Sequence, residues 1–199
     1  ELGLPGPVLE RLYAETLRDA MALAAAGGFA PFATVMKSAL GQILAEHELT
    51  ATDAELGEVL GLMKTLTPHP DARRAFEVLR GAGIRVLALS NGAASTTHSL
   101  FDHAGMTGLV DQILSVDDVK LSKPRPEVYL YAIEQARVKP AEAMLVATHP
   151  WDVNGAKAAG LLGGYVCRGR PYPATVMKTP DVEGDTLEEV ARAIIAMKG

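Results

Sequence analysis

The chain has 199 residues, 48% of them apolar, and a formal charge of -5 from 19 basic and 24 acidic side chains. That size supports one sizeable core, alone or with a smaller insertion, and the interspersed charges exclude the basic footprint of a nucleic-acid or anionic-membrane partner. Cys167 is the single cysteine, so an intrachain disulfide is excluded and a zinc site would have to be built from histidines and carboxylates. With no run near the ~20 apolar residues of a membrane span and no signal-peptide pattern, the expected location is cytoplasmic.

In chain order, Val8, Leu9, Leu12, Leu17 and Met21 predict a helix from Val8 to about Leu23. Val35, Met36, Ala39, Leu40, Ile43 and Leu44 predict a second, separated from the first by Gly27-Gly28 and Pro31. Thr52 with Glu55 matches a capping box that opens a third helix. Residues 1–68 therefore read as an all-helical unit. After Pro68-His69-Pro70 the pattern changes to a helix from Asp71 to Arg80, a stop near Gly83 and a strand from Ile84 to Leu89. The alternation continues as helix Ser95 to His103, strand Val110 to Val116, helix Pro126 to Ala136 and strand Ala143 to Ala147. Helix Asn154 to Ala159 and strand Gly164 to Cys167 follow. Thr186 and Glu189 form a second capping box ahead of a C-terminal helix. Short apolar strands alternating with helices predict an α/β fold with a doubly wound parallel sheet over residues 69–199.

Three polar segments fall at the carboxyl ends of predicted strands, the edge where open α/β sheets bind ligands. Ser90-Asn91-Gly92 follows the strand ending at Leu89, where hydroxyl, amide and backbone donors can face an anion; the same tripeptide is also an ordinary turn. Lys123-Pro124-Arg125-Pro126 holds an ammonium in a proline-stiffened loop ahead of a helix carrying Tyr129. Thr148-His149-Pro150-Trp151-Asp152 follows the strand ending at Ala147. A lysine held beside a carboxylate nucleophile would keep it ionised and stabilise charge during displacement.

Together these segments resemble three of the four active-site loops of the haloacid dehalogenase superfamily, and the helical N-terminal third matches that family's cap in position and length. Superfamily phosphatases place two carboxylates four residues apart in the last loop to hold magnesium. Here Thr148 stands where the first would be, and in this the chain resembles the metal-free (S)-2-haloacid dehalogenase branch. The resemblance implies a Rossmann-like core with a helical cap, no cofactor or metal, a small 2-haloacid substrate and a homodimer. It implies that Lys123 stabilises the nucleophile and that Asp152 orders Lys123 and the water. Ser90 and Asn91 would hold the substrate carboxylate, with Tyr129 and Trp151 lining the site. His149 stands where the branch has an asparagine; a neutral imidazole there can take a proton from water in ester hydrolysis, or can simply pack against Pro150. The branch's halide-binding arginine has no match near Tyr13 to Leu17.

The family's fourth loop, an aspartate ending the first core strand, has no counterpart here; none of Asp19, Asp53 or Asp71 follows an apolar strand. In the fold that strand lies between the strands ending at Leu89 and Ala147. Its loss would cost more than the ~5–15 kcal/mol net stability of a domain. The expectation is thus a record that lacks an upstream segment. A degenerate non-catalytic member, or one completed by another chain, is the competing reading. The expected activity is metal-independent hydrolytic dehalogenation of 2-haloalkanoic acids through an aspartyl ester. A phosphatase or phosphonate hydrolase of the same superfamily, or a non-catalytic binding protein, are the alternatives.

Overall fold

The computed structural model describes residues 8–197. Helices α1 (Val8–Ala25), α2 (Phe32–Glu46) and α3 (Asp53–Gly61) form the N-terminal unit. Its core is Leu12 of α1, Met36, Ala39, Leu40, Ile43 and Leu44 of α2, and Leu56 of α3, the apolar stripes read from the 3.6-residue period. The Thr52/Glu55 capping box is formed: Thr52 Oγ1 accepts from the Glu55 N–H at 3.3 Å and Glu55 Oε2 accepts from the Thr52 N–H at 2.7 Å. A 3-10 turn, Leu62–Thr65, leads back toward the second unit.

That unit runs α4 (Ala72–Gly81), β1 (Leu87–Ser90), α5 (Ala94–His103), β2 (Gln112–Ser115), α6 (Pro126–Ala136), β3 (Met144–Ala147), α7 (Pro150–Ala158), β4 (Leu162–Val166), β5 (Val182–Gly184) and α8 (Leu187–Met197). Two residues beyond the end of α4, Gly83 takes a φ of +71°, open to glycine at little cost, and the Ile84 N–H closes back on the Leu79 carbonyl at 3.0 Å. One cluster joins α4 to α8 through Ala75, Leu79 and Ala191. Another joins α6 to α7 through Tyr129, Ile133 and Ala156, with Leu89 of β1 and Leu145 of β3 packed against it.

All the strand pairs are parallel, as the alternation predicts, but the strands fall into two sheets: β1 with β2, and β3–β4–β5. β1 and β3 are not hydrogen-bonded to each other. Their residues, Leu87 to Ser90 and Met144 to Ala147, are all only half-buried, whereas Gly163 to Val166 of β4 are buried. Several boundaries differ from the sequence expectation. β1 begins at Leu87 rather than Ile84, because Ile84 and Val86 pack on the α4–α8 cluster outside the ladder. α7 begins at Pro150 rather than Asn154, with proline at its first turn where its missing N–H is unneeded. β4 begins at Leu162 and ends at Val166, and the three-residue β5 beside it carries too short a pattern to be read in advance.

Candidate active site

The carboxyl ends of β1 and β3 open onto a buried polar centre. Lys123 is 7% exposed and Asp152 5%. The Lys123 ammonium donates to Asp152 Oδ2 at 2.7 Å and to the Leu89 carbonyl of β1 at 3.1 Å, so it bridges the end of one sheet and the helix that follows the other. Two of its three donors are engaged among the described residues. Asp152 lies in the first turn of α7, where the helix dipole favours negative charge, and its Oδ1 accepts from the Tyr129 hydroxyl at 2.7 Å. Burial, then the nearby Asp152 charge and the hydrogen bond to it, pushes the Tyr129 phenol far above its ordinary range; it is a fixed neutral donor.

This centre needs a glycine beside it. A Cβ on Gly155 would fall 2.7 Å from Tyr129 Oη and 2.8 Å from Pro124 Cβ, so α7 can approach α6 and the lysine loop only because position 155 has no side chain. The loop itself is held by Asn91, whose Oδ1 accepts from the Lys123 N–H at 3.0 Å. Ser90 Oγ accepts from the Gly92 N–H at 2.9 Å, and Ser115 Oγ donates to the Gly92 carbonyl at 3.0 Å. The turn reading of Ser90-Asn91-Gly92 is therefore realised: both side chains shape the rim, and Asn91 positions the lysine.

His149 and Trp151 stand at the mouth of the centre, both half-buried. Their rings stack at 5.5 Å and 30°. Tyr13 of α1 lies on the other side of His149 at 5.8 Å and 31°, bringing the helical unit over the same edge. Two further contacts join the units there: Lys120 Nζ sits 5.7 Å from the centroid of the Phe29 ring, and Arg125 donates to the Ala24 carbonyl at 3.5 Å. Burial lowers the His149 pKa below its ordinary 6.5, the Asp152 charge opposing and the Lys123 and Arg170 charges assisting. Burial thus favours the neutral imidazole.

Both oxygens of Asp152 are committed to Lys123 and Tyr129, and among the described residues no three His, Cys, Asp or Glu side chains gather in a metal-holding group. The seven sequence candidates meet at this edge: Ser90, Asn91, Lys123, Tyr129, His149, Trp151 and Asp152. The residue that sequence reading passed over is Tyr13, considered only as a place lacking an arginine; its neighbour across 136 positions of chain was invisible before folding. Among the described residues, no helix is long and apolar enough to cross a membrane.

A parallel α/β core with a lysine–aspartate–tyrosine centre at its carboxyl edge, roofed by helices, defines a class of hydrolase architecture. The family model for haloacid dehalogenase-like hydrolases matches residues 10–160, and the chain belongs to that family. It is 30% identical over 185 residues to an (S)-2-haloacid dehalogenase of Xanthobacter autotrophicus, covering 87% of this chain and 72% of that protein. Haloacetate dehalogenase H-2 of Moraxella sp. (strain B) is 31% identical over 139 residues, covering 63% of this chain. That match spans 62% of the relative's length, under two thirds of it. The structure of L-2-haloacid dehalogenase from Xanthobacter autotrophicus with chloropropionic acid covalently bound superposes with a TM-score of 0.86 at 28% identity, covering 94% of this chain and 84% of that one.

Proposed function

We propose that the protein hydrolyses short 2-haloalkanoic acids by way of an aspartyl ester, without a metal, and that the helical unit is the cap over the reacting centre. The observation that carries this reading is the Lys123 ammonium, buried on the Leu89 carbonyl and Asp152 at the open end of the space between β1 and β3. A strand seated there, parallel to both neighbours and ending in an aspartate from a segment outside the described residues, would bring a carboxylate to the remaining lysine donor.

In the first step that carboxylate attacks the α-carbon; a C–O bond forms, the carbon–halogen bond breaks and halide leaves with the bonding pair. Lys123 keeps the nucleophile ionised, and Asp152, fixed by Tyr129, keeps Lys123 in place. Ser90 and Asn91 are the rim groups nearest the lysine loop for the substrate carboxylate, and Trp151 walls the site. In the second step water adds to the ester carbonyl and passes its proton to neutral His149. The departing alkoxide takes a proton to give the 2-hydroxy acid, the aspartate is regenerated, and one proton goes to solvent beside the halide.

The family membership, the covalent chloropropionate in a structurally similar relative and the engaged oxygens of Asp152 support this reading. It is tested with the protein as its natural gene encodes it, given (S)-2-chloropropionate in the presence of a chelator. Release of chloride with formation of (R)-lactate is expected. Turnover of phosphate esters that requires magnesium, with no chloride released, would contradict it.

A further inference from the structure

Each apolar cluster of the described residues lies within one unit of the chain: one is drawn from residues 8–63, the other two from residues 75–195. Near the end of α1 the units stand apart, with a groove of about 520 Å³ between Met21, Ala24 and Ala25 on one side and residues 124–127 on the other. Units that share no apolar core move against each other unless something else holds them.

The loop between β2 and α6 carries three cations, Lys120, Lys123 and Arg125. Lys123 turns into the core, where its ammonium meets Leu89 and Asp152 and its N–H meets Asn91. The loop is therefore fixed to the second unit. The two outer cations turn the other way. Arg125 is held by Glu127, whose Oε2 accepts from Nε at 3.2 Å, and its Nη1 donates to the Ala24 carbonyl of α1 at 3.5 Å. α1 has no basic side chain in its last turn, so the guanidinium supplies the positive charge that a helix end favours. Lys120 sits 5.7 Å from the centroid of the Phe29 ring in the turn after α1. Its φ of +54° is uncommon for a residue with a side chain.

We propose that Lys120 and Arg125 are positioning residues that clamp the end of α1 and the turn after it onto the lysine loop, and so hold the helical unit closed over the reacting centre. The inference rests on the reading of that unit as the cap. Neither cation touches the substrate. Their contacts exist only when the unit is seated, so they raise the fraction of closed molecules and leave the chemistry of the closed state unchanged. Apparent affinity for substrate scales with that fraction. Loss of the clamp is therefore read in KM rather than in kcat.

The test compares the natural protein with Arg125→Ala, Arg125→Lys and Phe29→Leu. KM and kcat are read from halide release on (S)-2-chloropropionate. The seating of the unit is read separately, from the rate at which diethylpyrocarbonate modifies His149, located by peptide mass analysis. Tyr13 of α1 lies against the His149 ring, so lifting the unit uncovers it. Arg125→Ala should raise KM about two- to fivefold, the range of one charge contact at a helix end, with kcat nearly unchanged and His149 modified faster. Arg125→Lys should restore part of both, and Phe29→Leu should act in the same direction as Arg125→Ala. A fall in kcat at constant KM, or a His149 rate equal to that of the natural protein, would overturn the clamp while leaving the dehalogenase reading standing. Absence of halide release from the unaltered protein would overturn that reading, and the His149 rates would then decide the clamp by themselves.

Discussion

β4 and the pair β1 and β3 are made from similar small and apolar residues, yet they differ in how completely the chain surrounds them. Every position of β4 after Leu162 is buried. Gly163 leaves no room for a side chain, since a Cβ there would meet Val153 Cγ1 at 2.7 Å, and Gly164 is enclosed by Met144, Val146 and Val182. β1 and β3 are half-buried throughout, each paired on one side only among the described residues. The polar centre sits at the ends of these two half-paired strands. Packing finishes the molecule around β4; around β1 and β3 the chain instead presents backbone groups, a buried ammonium and an aromatic wall. Where interior packing is complete, substitutions act on stability, and where it is open they act on chemistry.

The largest effect that would sharpen this contrast is expected from Asp152→Ala. It removes the partner of a 7%-exposed lysine and should cost roughly 3–5 kcal/mol of stability as well as abolishing turnover, read by chemical unfolding and halide release. Lys123→Met should abolish turnover with a smaller loss of stability, because the Tyr129 hydroxyl still serves Asp152. Gly155→Ala comes next: its Cβ must displace Tyr129 Oη or Pro124, which should lower stability by ~1–3 kcal/mol and turnover by at least about tenfold as the centre is misplaced. Gly163→Ala, a comparable clash beside β4, should give a similar stability loss with kcat nearly unchanged; a matching loss of kcat would break the comparison.

The smallest effect is in pH dependence. His149 is depressed below 6.5 chiefly by burial, so as a base its acidic limb in kcat should lie below pH 6.5. The sign for stability is the same: the neutral form contributes fully above the unfolded value and the contribution is lost as pH falls through the folded one. His149→Asn should remove that limb.

Much of the architecture was legible because local signals and packing agree. The capping boxes at Thr52/Glu55 and Thr186/Glu189 both form, and Gly83 follows α4 where a left-handed residue is needed. Lys123, Tyr129 and Asp152 could be named because the segments that carry them resemble the family's loops, Lys123 in a proline-stiffened loop ahead of α6 and Tyr129 and Asp152 in the first turns of α6 and α7. Their mutual bonds could not be read, nor could the use of Asn91 to hold the Lys123 N–H, because spacing along the chain does not encode side-chain direction across elements. Tyr13 was illegible as a site residue for the same reason: its partner His149 lies in the other unit, and on α1 alone Tyr13 is an apolar-stripe position.

The central claim, a carboxylate nucleophile seated beside Lys123 between β1 and β3, is tested most directly by a single turnover of the natural protein on (S)-2-chloropropionate in oxygen-18 water, followed by mass analysis of both lactate and protein peptides. The account predicts unlabelled lactate, with the label in one aspartate of the protein, since water attacks the ester carbonyl. Label in the lactate and none in the protein would mean that water displaces the halide directly and would contradict it.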